Sequence, residues 1–347
     1  MKILFVSGAY PSKTSHPMKL SLEELGYEVD EVFRWKREVS HYQDNRSFLE
    51  KVCEKVGFPL DVDRANKEII KKTKEKKYDL LFVVKGNHIF PKTLRNIKNR
   101  HPEVKFVNWS LDDMYAKHNR SNFYRYNLKM YDLVVSTKSY NLDHNELPSL
   151  GANSILFQNN STYYYDFIED IKRGEKFEYD VSFFGTAEKE RFDSMNFLAK
   201  NGIAVTVFGS GWEKPMYSDV SSNLHINCKN LEGKGYFDAI CASKISLCFL
   251  RKINRDKQTL RTVEIPSVGG FMLAEHSQEQ LEMFRDTIEA SFFRNDQELL
   301  EKVNFYLRES VIREDIARNG KIRAKNFDMV KNAQEIIKIV MSRDTNQ

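Results

Sequence analysis

Two Rossmann-like α/β domains facing a cleft are what this sequence predicts, and three observations predict them. The chain has 347 residues, too many for one ordinary core and comfortable for two domains of roughly 150–170 residues each. Short apolar runs alternate with amphipathic stretches of helical period, the pattern of parallel strands covered by helices on both faces. A tripeptide also recurs where three apolar runs begin: Tyr78-Asp79-Leu80, Tyr131-Asp132-Leu133 and Tyr179-Asp180-Val181. Their unequal spacing makes them equivalent strand starts in βα units and not a solenoid repeat.

Along the chain, Ile3–Val6 is the first strand, followed by a loop over Ser7–Thr14, a helix near Ser15–Leu25 and a strand at Glu28–Phe33. Gly26 stands where a helix C′ residue needs positive φ. The stretch from Asn66 to Lys77 places Ile69 and Ile70 on one helical face among lysines, a solvated amphipathic helix or a contact for an anionic membrane surface. Strand runs are entered at Leu80 (LLFVVKG) and Leu133 (LVVST), and further strands fall at Val104–Trp109 and Asn153–Gln158. Asn159–Phe177 is polar, rich in tyrosine and poor in strand pattern, and reads as the interdomain linker. Beyond it come strands at Val181–Phe184, Val205–Gly209, Leu224–Ile226, Lys244–Leu250, Phe271–Ala274 and Ala290–Phe293. Helices fall near Glu188–Asn201, Tyr236–Ala242, Gln278–Phe284, Asp296–Glu309 and Glu314–Lys325. The expected domains are residues 1–160 and 175–327, and residues 328–347 form a final helix that can return to the first domain.

Composition removes several classes of function. Hydrophobic residues at 41% and aromatics at 12% supply a core to each half, which a disordered chain could not. The net charge of +5 comes from 54 basic against 49 acidic residues, a mixed surface that gives nucleic acid no particular support. The opening MKILFVSG is already a strand and lacks a signal peptide's apolar region. No stretch approaches the ~20 apolar residues of a membrane span. The expectation is a cytoplasmic protein with at most peripheral contact to the inner face of a membrane. Cys53, Cys228, Cys241 and Cys248 show no metal-ligand spacing and read as reduced thiols. GxGxxG, GxSxG, HExxH and GKS/T are absent, so a dinucleotide-binding dehydrogenase is unsupported.

The segment Leu250–Glu275 is the most informative. Asp256 and Glu264 are separated by seven residues, and Arg261 and Glu264 stand i, i+3 on one helical face. Pro266 should end or kink that helix, and Gly269-Gly270 allow a tight turn into the next strand. A carboxylate suits ribose hydroxyls, and guanidinium or ammonium groups neutralise a diphosphate. Glycine turns and helix N-termini bring N–H groups to phosphate oxygens. Taken alone, Arg261 and Glu264 could equally be a surface ion pair.

The string Arg261-Thr-Val-Glu264-Ile-Pro-Ser-Val-Gly269-Gly270 resembles the donor-site signature of spore-maturation-type glycosyltransferases, a group related to the retaining, family-4-like enzymes of GT-B fold. Asp256 occupies a place where glutamate is commoner. Asp180-Val-Ser-Phe-Phe-Gly185 with Arg191, and Val207-Phe208-Gly209-Ser-Gly211-Trp212, resemble the first two strands of that group's donor domain. Val84-Lys85-Gly86 and Trp109-Ser-Leu-Asp112-Asp113 resemble its N-terminal domain more loosely. The resemblance implies transfer of a sugar from a nucleotide diphosphate sugar donor to a glycan, glycolipid or other acceptor, retaining, with no bound cofactor or metal. By resemblance Glu264 binds the donor ribose and Asp256 lies near the transferred sugar. Arg191, and Arg251 or Lys252, face the diphosphate, and Gly185, Gly269 and Gly270 permit close backbone approach. A nucleotide-sugar epimerase and a non-catalytic sugar- or nucleotide-binding protein share these features.

Further candidates remain open in the first half. Asp61 and Asp63 read as helix caps more readily than as a metal-binding DxD. Asp112 and Asp113 follow a strand and serve either as acceptor ligands or a base, or as caps for the next helix. His88, with Lys85 on the acceptor side, either points into the cleft or is structural. His16 lies at the end of the first βα loop. An inverting enzyme would need a base, and His16, Asp112 or Asp113 could supply it.

Overall fold

The computed structural model describes residues 1–9, 15–35, 46–171, 173–174, 176–214, 217 and 219–342. Most of the loop expected at Ser7–Thr14 lies outside them. The chain divides into two compact units, Met1–Asn159 with Met329–Gln347, and Asn160–Asp328.

The first unit contains β1 (Lys2–Ala9), α1 (His16–Glu24), β2 (Glu28–Trp35), α2 (Phe48–Lys55), α3 (Ala65–Glu75), β3 (Leu80–Val84), α4 (Pro91–Arg100), β4 (Lys105–Ser110), α5 (Asn122–Asn127), β5 (Leu133–Ser136) and β6 (Ile155–Phe157). Its six strands lie in the order β2-β1-β3-β4-β5-β6, with every pairing parallel. The second unit contains α6 (Asp166–Asp170), β7 (Tyr179–Phe184), α7 (Lys189–Lys200), β8 (Val205–Phe208), β9 (Leu224–Asn227), α8 (Gly233–Cys241), β10 (Ser243–Cys248), α9 (Arg261–Ser267), β11 (Met272–Glu275), α10 (Gln278–Met283), β12 (Ser291–Phe293), α11 (Asp296–Arg308) and α12 (Ser310–Ala324). Its sheet runs β12-β11-β10-β7-β8-β9, again all parallel. The last helix, α13 (Met329–Ser342), returns to the first unit and packs beside α1.

The central strands of both sheets are buried on both faces, which is why they read as unbroken apolar runs. In the second unit Val181, Phe183, Leu247 and Leu273 enter one core, while Phe184, Cys248, Met272 and Ala274 enter the other. In the first, Leu4, Val6, Leu81 and Val83 share a core, and the intervening Ile3, Phe5, Leu80 and Phe82 are equally buried. Strand order reverses between β1 and β3 in the first sheet and between β7 and β10 in the second. Ligands of open α/β sheets bind outside the carboxyl ends of the strands at such reversals.

The recurring Tyr-Asp pair has a structural cause. Asp79 accepts from the Lys2 amide (2.6 Å) and Asp132 from the Phe106 amide (2.7 Å), each satisfying an orphan N–H where a neighbouring strand begins. Asp180 instead pairs with Lys244 at 2.6 Å. Asp61 caps α3, its two oxygens accepting from Ala65 and Asn66 at 2.8 and 2.9 Å. Sequence patterning missed α2, although Ser47 and Glu50 form a reciprocal capping box there, a signal the sequence carries.

Residues 160–177 are not a free-running connection. Ile168 of α6 and Ile171 are buried in the second unit's core. Arg173 binds the carbonyls of Ser243 and Lys244 at 2.8 Å each and Glu314 at 2.6 Å.

Met329, Ala333, Ile336, Ile337 and Val340 of α13 are buried. Ending the chain at Asp328 should therefore lower the melting temperature of the first unit and leave the second unit's transition in place. Calorimetry, with fluorescence of Trp109 and Trp212 as separate reporters, reads the two transitions.

Candidate functional site

At the reversal in the second sheet, Gly185 follows β7 and Arg251 follows β10 by three residues. The backbone around Gly185 is packed too closely for a side chain. A Cβ there would lie 2.8 Å from the Phe183 ring and 3.4 Å from Arg261 Nη1. Gly185 N donates to the Phe208 carbonyl (2.8 Å), and its own carbonyl accepts from the Trp212 indole (2.9 Å). A Cβ on Gly209, at φ 156°, would overlap the Gly185 carbonyl. These two glycines bring the ends of β7 and β8 together.

Two arginines converge beside that turn. Arg191 stands in the first turn of α7 and is only 3% exposed. Its Nη1 donates to the Thr186 carbonyl at 3.1 Å, while Nε and Nη2 are buried with no hydrogen-bond partner. Glu188 approaches it only at 3.5 Å and makes a closer pair, 2.7 Å, with Arg251. Arg261 opens α9, and its Nε is likewise buried and unpaired. Both guanidinium carbons lie over the Phe183 ring, at 5.6 and 5.5 Å from its centroid. Burial, reinforced by the neighbouring Arg261, pulls the Arg191 pKa down to about 10. A buried and a part-buried cation with unfilled donors on one ring suit a polyanion chemically.

Glu264, one turn along α9, is partly buried and accepts from the Tyr236 hydroxyl at 3.0 Å. Burial pushes its carboxyl above the ordinary glutamate range, against the opposing pulls of Tyr236 and Arg261. Asp256 is half-buried, its amide donating to the Arg251 carbonyl at 3.1 Å, and its charge acts on Arg191. The loop carrying these residues is held by a buried polar network. Thr262 donates to Gln280 (2.7 Å), Gln280 donates to the Glu275 carbonyl (2.6 Å), and Gln258 donates to Glu279 (3.1 Å). Glu275 in turn accepts from the Leu250 amide (2.9 Å) and pairs with Lys252.

The second unit thus gathers Gly185, Arg191, Arg251, Asp256, Arg261 and Glu264, but not the glycine pair. Gly269 and Gly270 precede β11, at the amino end of that strand, so α9 separates them from Arg261. Gly269 has φ 82° and turns the chain out of the helix. A Cβ on Gly270 would sit 2.5 Å from Ile240 Cγ2 and 2.9 Å from the Ile265 carbonyl oxygen. Their work is packing of helix on strand. Pro266 lies inside α9, which ends one residue later. Tyr236 was missed because it lies on a different helix, α8, with nothing in sequence to link it to Glu264.

In the first unit, a cavity of about 230 Å³ opens at the carboxyl ends of β1, β3 and β4, and Lys85, His88 and Asp112 line it. Lys85 Nζ and Asp112 pair at 2.7 Å. Asp113 is excluded from a ligand or base role: it is fully buried, and its Oδ1 accepts from the Tyr115 amide (3.1 Å) and Asn141 (3.0 Å). His16 is the exposed first residue of α1, and Ser15 lines the cavity in its place. His88 is 4% exposed, and burial with nearby Arg34 and Lys85 pushes its pKa far down, so the ring is neutral.

Residues 191–338 match a family described as glycosyl transferase-like. No curated protein sequence matches the chain. Among solved structures, a glycosyltransferase from Rickettsia africae ESF-5 superposes with a TM-score of 0.66 at 12% identity, covering 100% of this chain and 99% of that one. Anabaena Alr3699/HepE in complex with UDP-glucose does so at 0.61 and 13%, covering 99% and 100%. A putative UDP-N-acetylglucosamine 2-epimerase from Listeria monocytogenes reaches 0.54 and 12%, covering 100% and 97%. The architecture is that of GT-B proteins, and with the family match it supports a glycosyltransferase. No helix among the described residues is long and apolar enough to cross a membrane.

Two outcomes follow from this packing. Gly270→Ala should cost about 1–3 kcal/mol of stability by overpacking, measured by urea unfolding, and leave the ligand affinity of the folded protein unchanged. Glu264 holds its proton more tightly folded than unfolded, so its contribution to stability falls as pH rises through that raised pKa. Glu264→Gln should therefore unfold at higher urea than the parent near neutral pH, with the difference closing on acidification.

Proposed function

We propose that this protein transfers a sugar from a nucleotide diphosphate sugar to a glycan or glycolipid acceptor, without a bound metal, and with retention of anomeric configuration. The observation that carries the reading is the buried guanidinium of Arg191 beside the part-buried one of Arg261, each with buried donors unfilled, on the Phe183 ring. They stand at the strand-order reversal where α/β sheets take their ligands. When the anomeric carbon–oxygen bond breaks, negative charge builds on the departing diphosphate. Fixed cations in a partly dry site oppose that charge without reorganising at the moment of reaction. Arg191 and Arg261 would supply this, aided by the N-terminus of α7. Arg251 is drawn toward Glu188 and would reach the diphosphate by exchanging that partner.

Glu264 would accept from the ribose hydroxyls, with Tyr236 holding its carboxylate in place. Asp256, half-buried beside Arg251, would lie near the transferred sugar. In the first unit, Lys85, His88 and Asp112 would form the acceptor side, and Asp112 is the carboxylate there that can reach a ligand. Retention is supported by the resemblance of the Asp256–Glu264 spacing to that of retaining enzymes. The Anabaena structure bound to UDP-glucose supports a uridine nucleotide.

Thermal shift against nucleotide diphosphates and their sugars tests the reading. A ligand at roughly 100 times its Kd should add about 2.7 kcal/mol, and Glu264→Ala should remove that gain. Arg191→Met and Arg261→Met should each lower kcat by about 10²–10³. No shift with any nucleotide would overturn the donor site. Conversion of the donor to an epimer with no acceptor present would replace transfer by epimerisation.

A further inference from the structure

The cavity of the first unit contains a cation that no part of the donor reading uses. Arg34 reaches it from the carboxyl end of the edge strand β2. Its guanidinium lies over the Trp35 ring, 4.3 Å from the centroid, and Glu54 approaches no closer than 4.0 Å. Glu54 is engaged more closely by Arg46, so two arginines face one carboxylate. The Nε of Arg34 is buried with no hydrogen-bond partner. Burial pulls the Arg34 pKa down to about 9. Lys85 is the other cation among the described lining residues, and Asp112 neutralises it. His88 adds a buried, neutral ring whose Nδ1 also has no hydrogen-bond partner.

The loop presenting Lys85 and His88 is held under strain. Lys85 adopts φ 59° and Gly86 φ 84°, an expensive conformation for a lysine that the surroundings must enforce. Asn108 donates to the carbonyls of Val83 and Lys85 at 3.2 Å each. Asn66 donates to the His88 carbonyl (2.8 Å) and accepts from the Phe90 amide (2.9 Å). Asn127 donates to the Ile89 carbonyl at 2.7 Å. Three asparagines from three helices and strands thus fix a turn whose outward products are one ammonium and one imidazole.

We propose that this cavity binds a phosphate group carried by the acceptor. The inference rests on the transfer reading and adds the acceptor's chemical class. A phosphate would fill the vacant donor of Arg34 with a charge-assisted bond and give the imidazole of His88 an acceptor. An uncharged glycan would leave the buried Nε of Arg34 without a charged partner, at a cost in affinity. The phosphate can belong to a soluble sugar phosphate or to a lipid-linked one, and both present the same oxygens.

The test uses the full chain carrying Arg191→Met, so that phosphate bound in the second unit does not obscure the result. Inorganic phosphate and a soluble hexose phosphate are titrated by calorimetry, and phosphatidylcholine vesicles with and without a polyprenyl monophosphate by sedimentation. Arg34→Gln should weaken phosphate binding by about tenfold or more, and Arg34→Lys should restore most of it, which separates charge from loss of folding. Binding of the hexose phosphate but not the vesicles names a soluble acceptor, and preference for the polyprenyl phosphate vesicles names a lipid-linked one. Phosphate affinity unchanged by Arg34→Gln, or no phosphate binding at all, overturns the proposal. UDP binding by the otherwise native chain, with or without Arg34→Gln, reports on the donor site alone. Loss of the transfer reading therefore shows as absent binding of UDP and of every other nucleoside diphosphate, whatever the phosphate titration gives.

Discussion

Arg191 and Arg261 carry like charges, and both are held over one phenylalanine ring with donors left unfilled. That arrangement is the constraint on which the second unit's architecture turns. Arg191 has given up its water, and burial together with the neighbouring Arg261 lowers its tendency to remain protonated. The face of Phe183 compensates in part through its quadrupole, and Glu188 does so at a distance. The ring is available to both only because Gly185 has no side chain: a Cβ there would press on Phe183 and on Arg261. Gly209 is then required to let the neighbouring strand pass the Gly185 carbonyl, and Trp212 to bind that carbonyl. An apolar ring, two glycines and a tryptophan are thus consequences of placing two cations together.

The same economy governs Glu264. Its carboxyl is held in a setting that disfavours its charge, with Tyr236 and Arg261 as partial compensation. A surface ion pair would have placed Arg261 and Glu264 in mutual contact and in water. Instead Arg261 turns to Phe183 and Glu264 to Tyr236, so each keeps capacity for a ligand. The buried Thr262–Gln280–Glu275 network holds this unfavourable arrangement in place.

The first unit solves a parallel problem with different parts. Its reversal lies between β1 and β3, and the turn after β3 carries the strained lysine. Polar side chains in the middle of the sheet, Asn108 above all, would be costly if they did not take up backbone groups released by that turn. They explain how a lysine holds a backbone conformation that glycine would adopt freely. Asp112 and Asp113 are adjacent in sequence yet differ completely in role, because consecutive residues leaving a strand point to opposite sides. One meets Lys85 at the cavity, and the other is sealed beneath it against Asn141.

Sequence by itself determined the two α/β units, nearly every strand, and the segment that carries Asp256, Arg261 and Glu264. Those features are written in local patterns, since strands buried on both faces are continuous apolar runs and a helix places i and i+3 on one side. Where the pattern had another author it was misread. Gly269 and Gly270 looked like phosphate-facing glycines, but Gly269 turns the chain out of α9 and Gly270 lets it pack against Ile240, because a glycine turn has the same sequence whichever end of a strand it occupies. The bond of Tyr236 to Glu264, Phe183 as a shared platform, and Arg34 as a cation with an unfilled buried donor were decided only by tertiary structure. Each depends on residues far apart in the chain being brought together by strand order, a global property that no short window of sequence records.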